Sequence, residues 1–190
     1  MKTRRWGLGP GLAVLALLIL LGCGGKVDER AAKELAALGR DVSLTVLPPA
    51  IRKGEELGYS PREGARVMAG LVDQGLLSTR LGDGEVSLSP GWKASQRALW
   101  KRTVRQCRAW LKNHPQSTPH VLFTEYLMGT RMVAAVHVLI LDSNGRLAYG
   151  RALHSNDPLY AEMAPIGEGD CTNLVLSALR AGLNLSGNAR

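Results

Sequence analysis

The sequence predicts an α+β domain, a mixed α/β sandwich in which a small sheet packs against two or three helices. Helical patterns alternate with short apolar runs over the first two thirds of the chain. Three longer aliphatic and β-branched runs follow between residues 120 and 153, and an amphipathic segment closes the chain. Helices that alternate with strands and then give way to an antiparallel meander are typical of this class.

The first half of the chain supplies the alternating elements. Pro48 and Pro49 stop a β-branched run, because proline cannot donate to a sheet ladder. Ser60, followed by proline and then by Glu63, is a strong helix start with serine as the N-cap. The predicted elements are a helix at 26–38, a strand at 42–47, a loop at 50–59, a helix from Ser60 to Gly75, and extended segments at 76–81 and 86–88.

The second half supplies the longest helix and the meander. The helix is predicted to begin at Ser89 and Pro90 and to reach Asn113, since its apolar residues recur with a period of 3.6. Asn144 and Gly145 separate two strand-like runs and predict a tight hairpin, because glycine supplies a positive φ. The remaining predicted elements are strands at 120–128, 132–141 and 146–153, a loop at 155–169, and a helix capped by Asp170 that ends near Gly182.

The amino terminus has the pattern of an export signal. Lys2, Arg4 and Arg5 precede an apolar run that is well short of the roughly 20 residues a membrane-spanning helix needs. The run ends in Leu-Leu-Gly-Cys at 20–23, which resembles the lipobox of bacterial lipoproteins. This resemblance implies that Cys23 is acylated and becomes the mature amino terminus. An uncleaved anchor, or a plain signal with a chance cysteine, is the alternative.

The lipobox implies a cellular location and a domain organisation. Gly24, where an aspartate would signal retention in the inner membrane, implies the outer membrane, with the domain facing the periplasm. The expected parts are a signal peptide at 1–22, a lipidated tether with a short helix at 23–40, and one periplasmic α/β domain at 41–190. The 168 residues left after removal of 22 from 190 are enough to bury a core.

The charge balance is modestly basic. Three of the 24 basic residues precede Cys23, so the mature chain has 21 basic and 16 acidic residues and a net charge of +5. This excess suits a protein that lies near anionic lipid, lipopolysaccharide or peptidoglycan. Nucleic acid is not an expected partner of an exported chain.

Two further cysteines, Cys107 and Cys171, would meet an oxidising compartment. Such a pair is a candidate disulfide, and two buried free thiols are the alternative. Neither cysteine has a second cysteine or histidine at ligand spacing, so the sequence predicts no metal site.

The sequence contains no recognised catalytic motif. It has no zinc-protease helix, nucleophile elbow or phosphate-binding loop. His137 falls in an apolar run, where a satisfied core histidine is the usual case, and Glu125 and Asp142 lack the spacing of a glycosidase pair. We therefore expect no catalytic residue, no cofactor and no enzymatic activity.

The long helix provides the best candidate for a binding surface. Basic residues recur every three or four positions along it, and no acidic residue interrupts them. Such a face can bind anionic lipid or an acidic partner surface, or it can simply be solvated. The predicted binding residues are Lys93, Arg97, Lys101, Arg105, Arg108 and Lys112.

The mature domain resembles a known periplasmic architecture. The segments LTVLPP at 44–49, HVLFTEYLMG at 120–129 and VHVLILDSNGRLAYG at 136–150, with a closing helix, are similar to a domain of several envelope proteins. These are the curli-export lipoprotein, the lipoprotein activators of peptidoglycan synthases and the TolB amino-terminal domain. The resemblance implies an α/β domain that binds other envelope components. No apolar segment is suited to the membrane hairpins of the curli pore, so we do not expect a pore.

These observations predict a membrane-anchored periplasmic lipoprotein that acts as a non-enzymatic adaptor in envelope assembly or regulation. Its expected partner is an envelope protein, with peptidoglycan or anionic lipid as further candidates. The alternatives are a peptidoglycan-acting enzyme with a non-standard site and a module that binds a small ligand or a glycan.

Overall fold

The computed structural model describes residues 26–76, 78–89 and 94–185 and confirms the α+β class. Within these residues a seven-stranded mixed sheet carries helices on both faces. The helices are α1 (Glu29–Leu38), α2 (Pro61–Asp73), α3 (Gln96–Asn113), α4 (Pro158–Met163) and α5 (Glu168–Gly182). The strands are β1 (Leu44–Val46), β2 (Ala50–Lys53), β3 (Glu56–Tyr59), β4 (Thr79–Leu81), β5 (His120–Met128), β6 (Val133–Asp142) and β7 (Leu147–Leu153).

Strand β5 is the centre of the sheet. On one side it pairs in parallel with β1 along its first half and with β2 along its second half. On the other side it pairs with β6, which pairs with β7, and both pairings are antiparallel. Strand β4 extends the sheet beyond β1, and β3 extends it beyond β2. The predicted antiparallel meander is therefore confirmed.

Residues 50–59 form a hairpin, so the predicted loop is wrong. Pro48 and Pro49 end β1 as expected, but the chain continues beside β5 and pairs again from Ala50, which lies opposite Glu125. Gly54 turns the chain with a φ of 65°, and β3 returns antiparallel to β2. The residues around Gly54 are mostly charged, so no local strand pattern predicts this hairpin. The pairing of β2 with β5 stabilises the hairpin instead.

The sheet separates two apolar cores. Leu122 and Tyr126 of β5 face one core, which α1, α2 and α5 cover. Val121 and Phe123 of β5 face the other core, which α3 and residues 82–89 cover. Alternate residues of β5 thus belong to opposite faces, as the period of a strand requires.

Helix α1 is part of the first core. Asp28 caps it by accepting a hydrogen bond from the backbone N–H of Ala31 at 2.9 Å, and Ala31 and Leu35 are buried. The backbone N–H of Asp28 donates to the carbonyl of Leu147 at 2.9 Å. The short predicted helix of the tether is therefore packed on the domain, next to the start of β7.

The helix boundaries differ from the prediction in three places. Helix α3 begins at Gln96 with Ser95 as its N-cap, rather than at residues 89–90. The predicted loop at 155–169 contains α4. Helix α5 begins at Glu168, two residues before Asp170, whose carboxylate accepts hydrogen bonds from the backbone N–H groups of Ile166 and Gly167 at 3.0 Å. Asp170 thus caps the helix from its third position.

Two local predictions are confirmed by geometry. Ser60 caps α2 by accepting a hydrogen bond from the backbone N–H of Glu63 at 3.3 Å. In the β6–β7 turn Gly145 has a φ of 75°, and the Asp142 carboxylate accepts from the backbone N–H groups of Asn144 and Arg146. Across the described ranges, no helix is long and apolar enough to span a membrane.

Candidate binding surface

Helix α3 carries a row of exposed cations along one side, which we call the basic stripe. Successive members are three or four residues apart, so they lie one above another within an arc of about 80°. The row extends over about 22 Å of helix. The stripe consists of Arg97, Lys101, Arg105, Arg108 and Lys112, all of them exposed. Lys93, predicted to belong to the same row, lies outside the described residues.

The opposite side of α3 fixes the direction in which the stripe points. Trp100 is only 3% exposed and lies edge-on to the His137 ring, with the ring centroids 5.4 Å apart. Trp110 lies edge-on to Phe123 at 5.8 Å. Because these aromatic contacts set the rotation of the helix, the stripe faces solvent.

Among the described residues, no salt bridge involves a cation of the stripe. The β6–β7 turn approaches the Cγ of Arg108, yet the Asp142 carboxylate in that turn pairs with Arg146 at 2.6 Å. Glu34 is bonded to Arg30 and Arg146, and these hydrogen bonds lower its pKa. The carboxylates of Asp142 and Glu34 are therefore engaged elsewhere and do not neutralise the positive charge of the stripe.

A polar cluster is buried beneath α3, on the face of the sheet that the helix covers. Its centre is the Glu125 carboxylate, which is bonded from three elements. Thr103 of α3 donates its hydroxyl to Glu125 Oε2 at 2.9 Å, and His137 Nδ1 lies 3.0 Å from the same oxygen. Arg52 Nε of β2 donates to Oε1 at 3.4 Å. All four side chains are at least nine-tenths buried.

The cluster holds Glu125 in its charged form. Burial by itself raises the pKa of Glu125, but the hydrogen bonds from His137 and Thr103 and the charges of His137 and Arg52 outweigh burial and lower it. An ionised carboxylate can only accept, so His137 Nδ1 carries the hydrogen that it shares with Glu125. The cluster thus joins α3 to the sheet through Thr103.

Residues 82–89 close the space beside this cluster. Tyr59 donates its hydroxyl to the carbonyl of Val86, and Arg52 Nη2 donates to the carbonyls of Leu88 and Ser89 at 2.9 and 3.3 Å. The enclosed space has room for about one water molecule. A sugar ring does not fit there.

The cysteines lie in different cores, so the candidate disulfide is not formed in this structure. Cys107 of α3 belongs to the core on one face of the sheet, and Cys171 of α5 belongs to the core on the other. Both are buried free thiols, the alternative that the sequence left open. Burial raises the pKa of both thiols, that of Cys171 to about 12.

Thiol labelling tests this arrangement. In the native protein neither Cys107 nor Cys171 should react with an aromatic disulfide reagent, because both are buried and protonated at neutral pH. After unfolding without reductant both should react, giving two thiols per acylated chain. Their failure to react in the unfolded protein would show that a bridge had formed.

The other candidate side chains do not converge on one site. Asp142 is engaged with Arg146 at one end of β6, whereas Glu125 lies beside the middle of that strand, opposite His137. His137 is fully buried, as expected of a core histidine. In the part of the chain that the structure describes, no group of three or more His, Cys, Asp or Glu residues is arranged to hold a metal ion.

Sequence reasoning missed Arg52 and Thr103 as partners of Glu125. Arg52 falls in the segment that the sequence predicts to be a loop, and its burial follows from the pairing of β2 with β5. Thr103 fits the apolar period of α3, which indicates that it faces the sheet but not that it meets a carboxylate. No local signal in the sequence joins these residues, which are far apart along the chain.

Comparisons with known proteins give little further guidance. No protein-family model matches the chain, and no curated protein matches it. Among solved structures, the PelC dodecamer from Paraburkholderia phytofirmans and a variant of it are similar, with 15% and 14% sequence identity. Each alignment covers 77% of this chain and 90% of the PelC chain, with a TM-score of 0.42. Similarity at this level does not bear on function.

Proposed function

We propose that this protein is a lipid-anchored lipoprotein of the bacterial envelope that binds another envelope component without catalysis. The basic stripe carries the proposal: five exposed cations lie in one row, and no carboxylate of the described residues pairs with them. An anionic component, either lipid phosphate or an acidic partner surface, complements such a row.

The amino-terminal sequence supports the location in this proposal. Leu20, Leu21 and Gly22 before Cys23 have the lipobox pattern, and Gly24 favours the outer membrane, with the domain facing the periplasm. These residues lie outside the described ranges, so the anchor rests on sequence alone. A protein held permanently at a membrane needs only modest intrinsic affinity for a neighbouring component, since both are confined near one surface.

The buried cluster supports a structural rather than a catalytic role for Glu125. This carboxylate is 4% exposed, and its bonds to Thr103, His137 and Arg52 engage both of its oxygens. A glycosidase acid must reach the glycosidic oxygen, so a carboxylate closed in this way is unsuited to that reaction. No observation in the structure specifically favours the alternative of a peptidoglycan-acting enzyme.

Charge reversal tests the proposal. The variant R97E/K101E/R105E should weaken cross-linking of the mature protein to its main envelope component by about 100-fold, because each cation contributes about 1 kcal/mol near an anionic surface. Quantitative cross-linking in isolated envelopes measures this change, and circular dichroism checks folding. The matched control R62E/R131E/R180E changes the net charge equally at exposed cations outside α3. Equal cross-linking by both variants would contradict the proposal.

A further inference from the structure

We infer that the basic stripe lies against the anionic lipid surface of the same membrane that holds the chain, so that lipid phosphates are its ligand. This inference rests on the proposed function and names the component that the stripe binds. It assigns α3 as the membrane-facing side of the domain, with α2 and α5 on the side that faces away.

The position of the tether is the first observation. The backbone N–H of Asp28 bonds to Leu147 at the start of β7. Two residues earlier, Gly145 of the β6–β7 turn lies close to the Cγ of Arg108, 3.9 Å from where a Cβ would stand on this glycine. The chain therefore enters the domain within about 15 Å of the stripe, at the end that holds Arg108 and Lys112.

The reach of the tether is the second observation. Five residue steps separate Cys23 from Asp28, and they span at most about 18 Å when fully extended. The stripe itself is about 22 Å long. A lipid fixed to Cys23 therefore keeps the near end of the stripe within about 33 Å of the bilayer and lets it reach the lipid surface. The domain can lie on that bilayer with α3 parallel to its surface.

The chemistry of the stripe favours a bilayer over a protein surface. Protein interfaces depend on buried aromatic or aliphatic anchors surrounded by polar groups. The exposed large apolar residues of the described ranges all lie on other elements than α3: Val27, Leu38, Val72, Leu81, Met132 and Ile166. A straight row of cations without an apolar anchor instead matches a flat layer of phosphates, whose attraction is electrostatic and nonspecific.

Fluorescence quenching in vesicles tests the inference on the mature, acylated protein. A dye is attached to A98C at the border of the stripe or, as the matched control, to A69C on α2. Ala98 and Ala69 are both exposed. The buried native thiols stay unlabelled in the folded protein. The quencher is carried on lipid headgroups, in vesicles of phosphatidylglycerol and phosphatidylethanolamine or of phosphatidylcholine alone.

The expected result is strong quenching at position 98 and weak quenching at position 69 in the anionic vesicles. The difference should disappear in phosphatidylcholine, in about 1 M salt, where the screening length falls to about 3 Å, and in R97E/K101E/R105E. It should persist in R62E/R131E/R180E.

Two outcomes separate this inference from the proposed function. Equal quenching at positions 98 and 69 in anionic vesicles would overturn the inference. If the reversal variant nevertheless lost its cross-link to an envelope protein or to peptidoglycan, the proposed function would stand and the stripe would have a different ligand. If the variant changed neither quenching nor cross-linking, both the inference and the proposed function would fail.

Discussion

Replacing Glu125 by leucine should lower the free energy of unfolding by about 3–5 kcal/mol, because the change leaves a buried charge without its partner. Arg52 is 1% exposed, and its Nε lies 3.4 Å from the Glu125 carboxylate. Its remaining hydrogen bonds go to the carbonyls of Leu88 and Ser89, which do not carry a full negative charge. Urea denaturation followed by circular dichroism measures the loss.

A double-mutant cycle separates the cost of the unpaired charge from the value of the pair. R52M/E125L removes both charges, so it should be more stable than E125L alone. The control is E168Q, which breaks the exposed pair between Glu168 and Lys53 and should change stability by less than about 1 kcal/mol. Strictly additive losses from the two core substitutions would contradict a direct coupling between Arg52 and Glu125.

The same pair makes stability depend on pH in a defined direction. The pKa of Glu125 is lower in the folded protein than in the unfolded chain, where it is about 4.3. Its contribution is therefore fully present above about pH 4.3 and is lost as the pH falls through the folded pKa. The stability advantage of the wild type over E125L should accordingly shrink in acid.

Replacing Cys23 by serine should release the protein from the membrane. Without the thiol no acyl chain can be attached, and each buried methylene of such a chain contributes about 0.8 kcal/mol to membrane binding. Fractionation of cells and mass spectrometry of the amino terminus measure the change. We expect the wild type in the membrane with acylated Cys23 at its amino terminus, and the variant without acylation or cleavage at that position.

Another cysteine provides the matched control for this experiment. Cys107 is buried in α3 and has no part in lipid attachment, so C107A should be processed and sorted like the wild type. If C23S remained acylated or cleaved before residue 23, or partitioned like the wild type, the lipobox interpretation would be wrong. The proposed location in the bacterial envelope would then have no support.

The elements that could be predicted are those whose stabilisation is local. Ser60 and its following residues specify the start of α2, and Gly145 specifies the turn of the meander, because each acts through hydrogen bonds or dihedral angles within a few residues. The basic stripe could also be predicted, since the helical period places its members on one side of α3. These predictions needed no knowledge of the tertiary structure.

The elements that were missed depend on contacts between distant parts of the chain. Strand β2 forms because it pairs with β5, more than 70 residues away, and the charge of Arg52 and Lys53 gives no sign of this. The two cysteines suggested a bridge because the sequence does not say on which face of the sheet each helix packs. That choice depends on topology, which periodicity does not determine.

The central position of β5 restricts which changes of length the chain can accept. Residues 120–127 are all buried, and alternate side chains are committed to opposite cores. An insertion of one residue here would exchange the two sides, moving the Glu125 carboxylate among aliphatic side chains and Tyr126 beneath α3. Homologous chains should therefore keep this strand at constant length and vary instead between β7 and α4, where Ser155 and Asn156 are exposed.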